Sequence, residues 1–330
     1  MIKEMNQRRL GNLDILRALA ALSVCLFHFR RDGISATLFC RGFLGVDVFF
    51  VISGFVIPLM LSKMKYGFAD CGSFLQARLL RLYPAYAMAG LSAIGLWYLS
   101  SRVPGFRGDF PSLSPSALIA NALLICDFTG DGWIIPVFWT LAIEAQYYVL
   151  IAATFPLLTS GSKWIRHGVL ILWISLPLIA GVGPTVFTWT ALFSLGILCF
   201  LWRDMQLNRC GFWLLFGAAL ASHALAKGSI SATVGAATGL AILYLPELRL
   251  RFLIWIGSIS YSLYLIHLFA GGRIMRLADR LPDFPAIQAM AMVLALLISI
   301  VAAGLFFRFV EKPSHEFSRL VRTRPREIKP

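Results

Sequence analysis

Apolar runs, each roughly the 17–25 residues that a helix needs to span hydrocarbon, recur along nearly the whole of this chain. Its 330 residues are 58% hydrophobic and only 14% charged, whereas a soluble domain is about half apolar and a quarter charged. The chain therefore reads as an all-α integral membrane protein. Ten spanning helices in one bundle are expected, near 11–29, 43–62, 79–100, 134–158, 166–181, 185–202, 211–225, 229–245, 252–271 and 287–309. The fifth, seventh and eighth are short for that task. The longest connection, 101–133, contains "SPSALIANALLIC", whose Ser-Pro-Ser start marks a helix too short to span. A short interfacial or re-entrant helix is expected there. Residues 1–313 read as one membrane domain and 314–330 as a short basic cytoplasmic tail. Basic residues precede the first apolar stretch, as in a signal peptide. No clear small-residue cleavage site follows, and the stretch carries Arg17 and His28, so it is expected to remain as the first helix.

The formal charge of +14 raises the question of nucleic acid. The charges instead lie in short connections and in the segment after Arg308, so the expected partner is the lipid bilayer and not nucleic acid. With the N-terminus inside, the cytoplasmic segments hold 20 Lys and Arg and the opposite segments 9. The positive-inside rule then places both termini in the cytoplasm. The six cysteines show no metal-ligand spacing and read as apolar fillers; a Cys40–Cys126 bridge would require both to face an oxidising compartment. Five histidines without an i, i+4 ligand pair give no metal site.

Ionisable side chains at membrane depth are costly and mark function by default. Arg17 and His28 are eleven residues apart, which leaves them about 20° from alignment on one helical face and about 16.5 Å apart along it. Asp14 precedes Arg17 by three residues and can pair with it. The ninth helix carries Ser260, Tyr264 and His267 on one face, with His267 at a depth comparable to that of His28. In the fourth helix Glu144 lies about ten residues from the outer end, about 15 Å deep, with Arg17 and the histidines as its candidate partners. Asp47, near the outer end of the second helix, is placed to orient or charge-stabilise His28. Arg78 and Arg81 stand at i, i+3 on the cytoplasmic side, and guanidinium forks suit phosphate oxygens.

Six motifs now occur in order: Arg17-x10-His28, "GFLGVDVFFVISGF", Arg78-x2-Arg81, "FWTLAIEAQYY", "SYSLYLIHLF" and "FVEKPSHEF". The series resembles the membrane-bound acyltransferase-3 family from about residue 10 to residue 318. The resemblance implies a ten-helix enzyme of the bacterial inner membrane that transfers an acyl group, most often acetyl, to a hydroxyl. The acceptor is usually a sugar of a cell-surface glycan or exopolysaccharide, and sometimes a small secreted molecule. It implies an essential role for Arg17 and His28, and a link to the acyl-CoA donor for Arg78 and Arg81. Acyl-CoA would act as cosubstrate, with no cofactor bound permanently. The pattern departs at Ala145, commonly a second acidic or polar residue, and at Thr140, often serine; neither change removes Glu144. Some members append an extracytoplasmic hydrolase-like domain. The expectation here is action alone or with separate polysaccharide-assembly proteins.

On this reading His28 is general base or acyl carrier, Arg17 and Glu144 share the catalytic centre, and Asp47, Ser260, Tyr264 and His267 support it or contact acceptor. Acceptor specificity is expected in the outer connections, at Trp133, Asp109 and Asp131. The rival reading is a transporter or flippase for a glycan or lipid-linked intermediate, since buried Arg, Glu and His also build proton relays. Against it, no paired broken helices stand in corresponding halves. Reporters fused after residues 65 and 107 are expected to lie inside and outside respectively; the reverse result would overturn the topology.

Overall fold

A computed structural model describes residues 2–31, 34–103, 110–282 and 284–322, and no strand occurs among them. The helices are α1 (Ile2–Phe29), α2 (Ile34–Phe39), α3 (Gly45–Lys63), α4 (Cys71–Ser101), α5 (Pro115–Leu123), α6 (Cys126–Thr129), α7 (Trp139–Leu158), α8 (Lys163–Ile179), α9 (Thr190–Arg203), α10 (Arg209–Lys227), α11 (Ser229–Tyr244), α12 (Arg251–Ser258), α13 (Ser260–Ala278), α14 (Pro285–Phe306) and α15 (Lys312–Arg322). The architecture is an all-α membrane bundle, and every expected span has a helical counterpart. Among the described residues seven helices are long and apolar enough to cross a membrane, or eight if the bent pair α12–α13 is one span. The shortfall falls at α8, with 17 residues, and α11, with 16, both expected to be short.

α9 is the centre of the bundle: every residue from Thr190 to Leu201 is buried, as befits a helix that is apolar all round. It meets α3 where both carry glycine. A Cβ on Gly54 would lie 2.1 Å from the Phe193 carbonyl oxygen, and one on Gly196 would lie 2.1 Å from that of Val51. Backbones in lipid associate by such close approach between small residues. α7 joins this centre by stacking Tyr147 on Phe193, ring centroids 4.0 Å apart.

Three local features position the site. α12 and α13 meet at a 75° bend, and α12 is pressed onto α1 at Gly257, where a Cβ would sit 1.9 Å from the Asp14 carbonyl oxygen. The α14–α15 junction is a π-helical turn, Phe307–Glu311, an irregularity common at functional sites. The short helix expected in 101–133 is α5, capped by Ser114, whose Oγ accepts from the Ala117 N–H at 3.2 Å. Its Asn121 donates to the carbonyls of Ala117 and Gly132 and accepts from Ile134 N–H.

The domain boundary expected at 313 falls in the first turn of α15. That helix packs along α4, and its Ser318 hydroxyl donates to the Ala77 carbonyl at 2.7 Å. Positions 323–330 of the expected tail lie outside the described residues. The cysteines are free thiols, Cys40 exposed and Cys126 buried, so no bridge joins them.

Gly196→Val should drive two backbones apart. Overpacking of this kind costs about 1–3 kcal/mol or more, so the purified variant should melt several degrees below the parent or aggregate. Gly95→Ala, with no atom within 4 Å of its Cβ, should melt with the parent. Equal melting of all three would disprove the close crossing.

Candidate active site

α1 carries the two ends of the site. Near its first membrane turns the Arg17 guanidinium pairs with the Asp14 carboxylate at 3.2 Å, as the i, i+3 spacing requires. Eleven residues on, His28 faces a second environment. The two residues thus belong to two cavities, which we name for them.

The arginine cavity, about 280 Å³, is lined by Asp14, Arg17, Arg78, Arg81, Glu144 and Ser260, among others. Arg78 is buried and Arg81 exposed. The Arg78 guanidinium lies over the rings of Phe74 and Tyr148, 5.6 and 5.5 Å from their centroids, and one of its nitrogens approaches Met60 Sδ. Glu144 accepts a hydrogen bond from the Tyr148 hydroxyl and stands within electrostatic reach of Arg17, as does Arg81. The cavity therefore gathers three guanidinium groups and three carboxylates, Asp14, Glu144 and Glu311; Asp14 is paired with Arg17, and the planar forks of Arg78 and Arg81 suit phosphate oxygens.

The histidine cavity, about 590 Å³, is lined by His28, Asp47, Trp139, Trp189, Lys227 and Ser231, among others. Trp139 and Trp189 stand 5.8 Å apart between ring centroids, and Lys227 lies over the Trp189 ring. Among the described residues, Val46 and Tyr264 alone line both cavities. The Tyr264 hydroxyl is fixed between the Thr140 hydroxyl, 2.8 Å, and the Val137 carbonyl, 3.2 Å. Tyr264 thus stands between the chamber that holds the arginines and the chamber that holds the His28 imidazole.

The structure brings Arg17, Arg78, Arg81, Glu144, Ser260 and Tyr264 to one cavity, and His28, Asp47 and Tyr264 to the other. His267 packs on His28, with ring centroids 5.2 Å apart, in keeping with their equal depths. The hydrogen-bond partner of Asp47 is not His28 but Ser231, whose hydroxyl donates to it at 2.6 Å; Ser231 in turn meets His223 Nε2 at 2.7 Å. Depth along α3 places Asp47 level with His28, but its azimuth turns it to α11. The partner of Glu144 is Tyr148, one turn along its own helix, with Arg17 the nearer of the expected cations. Trp133 donates to Asp127 at 3.1 Å and Asp131 accepts from Thr129 at 2.8 Å, so both are spent within their own connection. Asp109 lies outside the described residues.

Sequence reasoning missed Glu311, Ser231 and His223. Glu311 lines the arginine cavity and accepts from both the backbone N–H and the hydroxyl of Ser262, at 3.2 and 2.5 Å. It caps the helix that starts afresh at the bend. A carboxylate at the end of an apolar run reads as interfacial, and only the π-helical turn carries it inward. His223, wholly buried, could have been found by the intramembrane rule that singled out His28. Among the described residues no group of three or more His, Cys, Asp or Glu could hold a metal ion.

Comparison with known proteins places the chain in a family. The family described as an acyltransferase domain, acyltransferase-3, matches residues 10–304. YrhL of Bacillus subtilis (strain 168), a candidate peptidoglycan O-acetyltransferase by name, is 33% identical over 157 residues, 45% of this chain and 24% of the relative. The O-acetyltransferase OatA of Staphylococcus aureus (strain NCTC 8325 / PS 47) is 31% identical over 157 residues, 45% of this chain and 25% of the relative. The matched part of this chain thus spans about a quarter of the length of these curated relatives. No solved structure matches the chain.

Ser231→Ala should strand Asp47 and His223, which are 3% and 0% exposed. An unsatisfied buried partner costs about 1–3 kcal/mol, so the variant should melt measurably lower, and Ser231→Thr, which keeps a hydroxyl, should recover most of the loss. Parental melting of Ser231→Ala would show the chain of bonds to be dispensable.

Proposed function

Because this chain belongs to the acyltransferase-3 family, we propose that it transfers an acetyl group from cytoplasmic acetyl-CoA to a hydroxyl of a cell-surface glycan, as a multi-pass enzyme of the bacterial inner membrane with both termini in the cytoplasm. The observation that carries this reading is the pair of cavities, one lined by Arg17, Arg78 and Arg81 and the other by His28, that share Tyr264 and Val46. A donor with several phosphates and a slim thioester arm suits a chamber that presents guanidinium forks, and a hydroxyl acceptor suits an adjoining chamber with a base. Arg78, Arg81 and Arg17 take the phosphates. The arm passes Tyr264 and presents its thioester to His28. Neutral imidazole then takes the acceptor's proton as the acceptor oxygen bonds to the acyl carbon. The carbon–sulfur bond breaks, and His28 returns the proton to the departing sulfur. Trp139 and Trp189 offer a sugar ring an aromatic wall. The name of YrhL makes peptidoglycan the first glycan to offer.

The test supplies purified protein with radiolabelled acetyl-CoA and peptidoglycan. Label should reach the glycan with the parent and fall about 100-fold or more in His28→Ala, the usual span for a lost general base. Substantial residual transfer would remove His28 from that role. Arg78→Ala with Arg81→Ala should raise KM for acetyl-CoA about tenfold or more, since each lost charge-assisted bond is worth about 1.5–3 kcal/mol. An unchanged KM would remove the phosphate role.

A further inference from the structure

We propose that His267 orients His28, accepting a hydrogen bond from one imidazole nitrogen so that the other keeps its lone pair toward the acceptor; the inference rests on His28 being the general base. The tautomer of His267 follows from its contacts. Its Nδ1 lies 2.8 Å from the Tyr264 carbonyl and 3.2 Å from that of Leu263. Carbonyl oxygens only accept, so Nδ1 carries the proton and the lone pair of the neutral ring is on Nε2. That nitrogen is buried and has no hydrogen-bond partner among the described residues, on a side chain that is 0% exposed. Buried acceptors are ordinarily satisfied, so a donor should be at hand.

His28 is the ring that can supply one. Its centroid is 5.2 Å from that of His267, with 45° between the planes. Each ring nitrogen lies about 1.1 Å from its centroid. With His267 held at Nδ1, a turn of the His28 ring that sets one of its nitrogens facing Nε2 would leave about 3 Å between them, hydrogen-bond distance. Such bonds are commonly slack before substrate arrives. The other rings around His267, those of Phe29 and Tyr264, offer no competing donor: Phe29 has none, and the Tyr264 hydroxyl is already held by Thr140 and Val137.

A base held by a third group is the general logic of activated nucleophile sites. That third group is often a carboxylate, and here the carboxylate of the same cavity, Asp47, is bonded to Ser231 instead. A neutral imidazole does the orienting without placing an anion beside His28 in a low-dielectric wall, where an unpaired charge is costly. As His28 takes the acceptor's proton, its N–H toward His267 becomes a charge-assisted donor. Such bonds are roughly twice as strong as neutral ones, so the contact strengthens as the transition state forms.

The test compares His267→Phe and His267→Gln with the parent and with His28→Ala in the acetyl-transfer assay. The Phe variant fills the space and removes the acceptor; kcat should fall about 100-fold with KM for acetyl-CoA within about twofold. The Gln variant sets an amide oxygen where Nε2 stood and should recover kcat to within about tenfold of the parent. Parental kcat in the Phe variant, or a folded Gln variant no better than Phe, would overturn the inference. If His28→Ala is inactive while His267→Phe is not, the orienting role alone fails; if His28→Ala is itself active, the general-base reading fails first. Should the Phe variant not fold, 15N resonances of His267 in the intact protein decide: protonated Nδ1 with bare Nε2 is expected, and the opposite tautomer would refute the assignment.

Discussion

A guanidinium at membrane depth needs partners from the protein, because hydrocarbon offers it none. Asp14 meets that demand for Arg17 from the same helix face, and much of the surrounding architecture follows. α12 can lie against α1 at Asp14 because Gly257 has no Cβ. The chain then has to leave α12 at a sharp bend, which exposes the first N–H groups of α13. Broken helices are tolerated at depth only where the freed groups line a cavity or meet a protein partner. Glu311 is that partner, brought in by the π-helical turn. The Asp14–Arg17 pair, bend and turn form one compensated unit that lines the arginine cavity.

Placing Tyr264 between the chambers separates two requirements that conflict chemically. A site for a polyanion has to be open and hydrated enough for charged groups to enter. A general base and a thioester work best where water is kept out, since water competes with the acceptor for the acyl group. One shared aromatic side chain, tied by its hydroxyl to Thr140 and to the backbone at Val137, keeps the chambers distinct while leaving them in contact. The single face Ser260–Tyr264–His267 spans the divide: Ser260 lines the arginine cavity, Tyr264 lines both, and His267 backs His28.

What could be read in the sequence was whatever a single helix determines. The eleven-residue interval from Arg17 to His28, the Asp14–Arg17 pair and the polar face of α13 are consequences of 3.6 residues per turn, and the structure has all of them. The level placement of His28 and His267 also followed, because depth is counted from helix ends. Azimuth between helices is another matter. Asp47 stands at the depth of His28 yet bonds to Ser231, a choice made by how α11 packs against α3. Glu311 needed the π-helical turn, and the bend at Ile259 had no proline or glycine pair to announce it. With α12–α13 counted as one span, α8 and α11, with 17 and 16 residues, are the two expected spans that are not long and apolar enough to cross a membrane.

The outer connection spends much of its polarity on itself. Residues 101–133 carry the tryptophan and aspartates that position alone offers to a sugar. Asn121 uses its amide on three backbone groups, Trp133 its N–H on Asp127, and Asp131 one oxygen on Thr129. Among the described residues of the connection, these side chains are bonded within it. Trp139 and Trp189 differ, since they stand on helix ends fixed by the bundle and line a cavity that also contains His28, the proposed base. Sites on rigid elements hold reacting groups more closely than sites on loops. A reaction that needs one hydroxyl delivered to one imidazole nitrogen is better served by those walls.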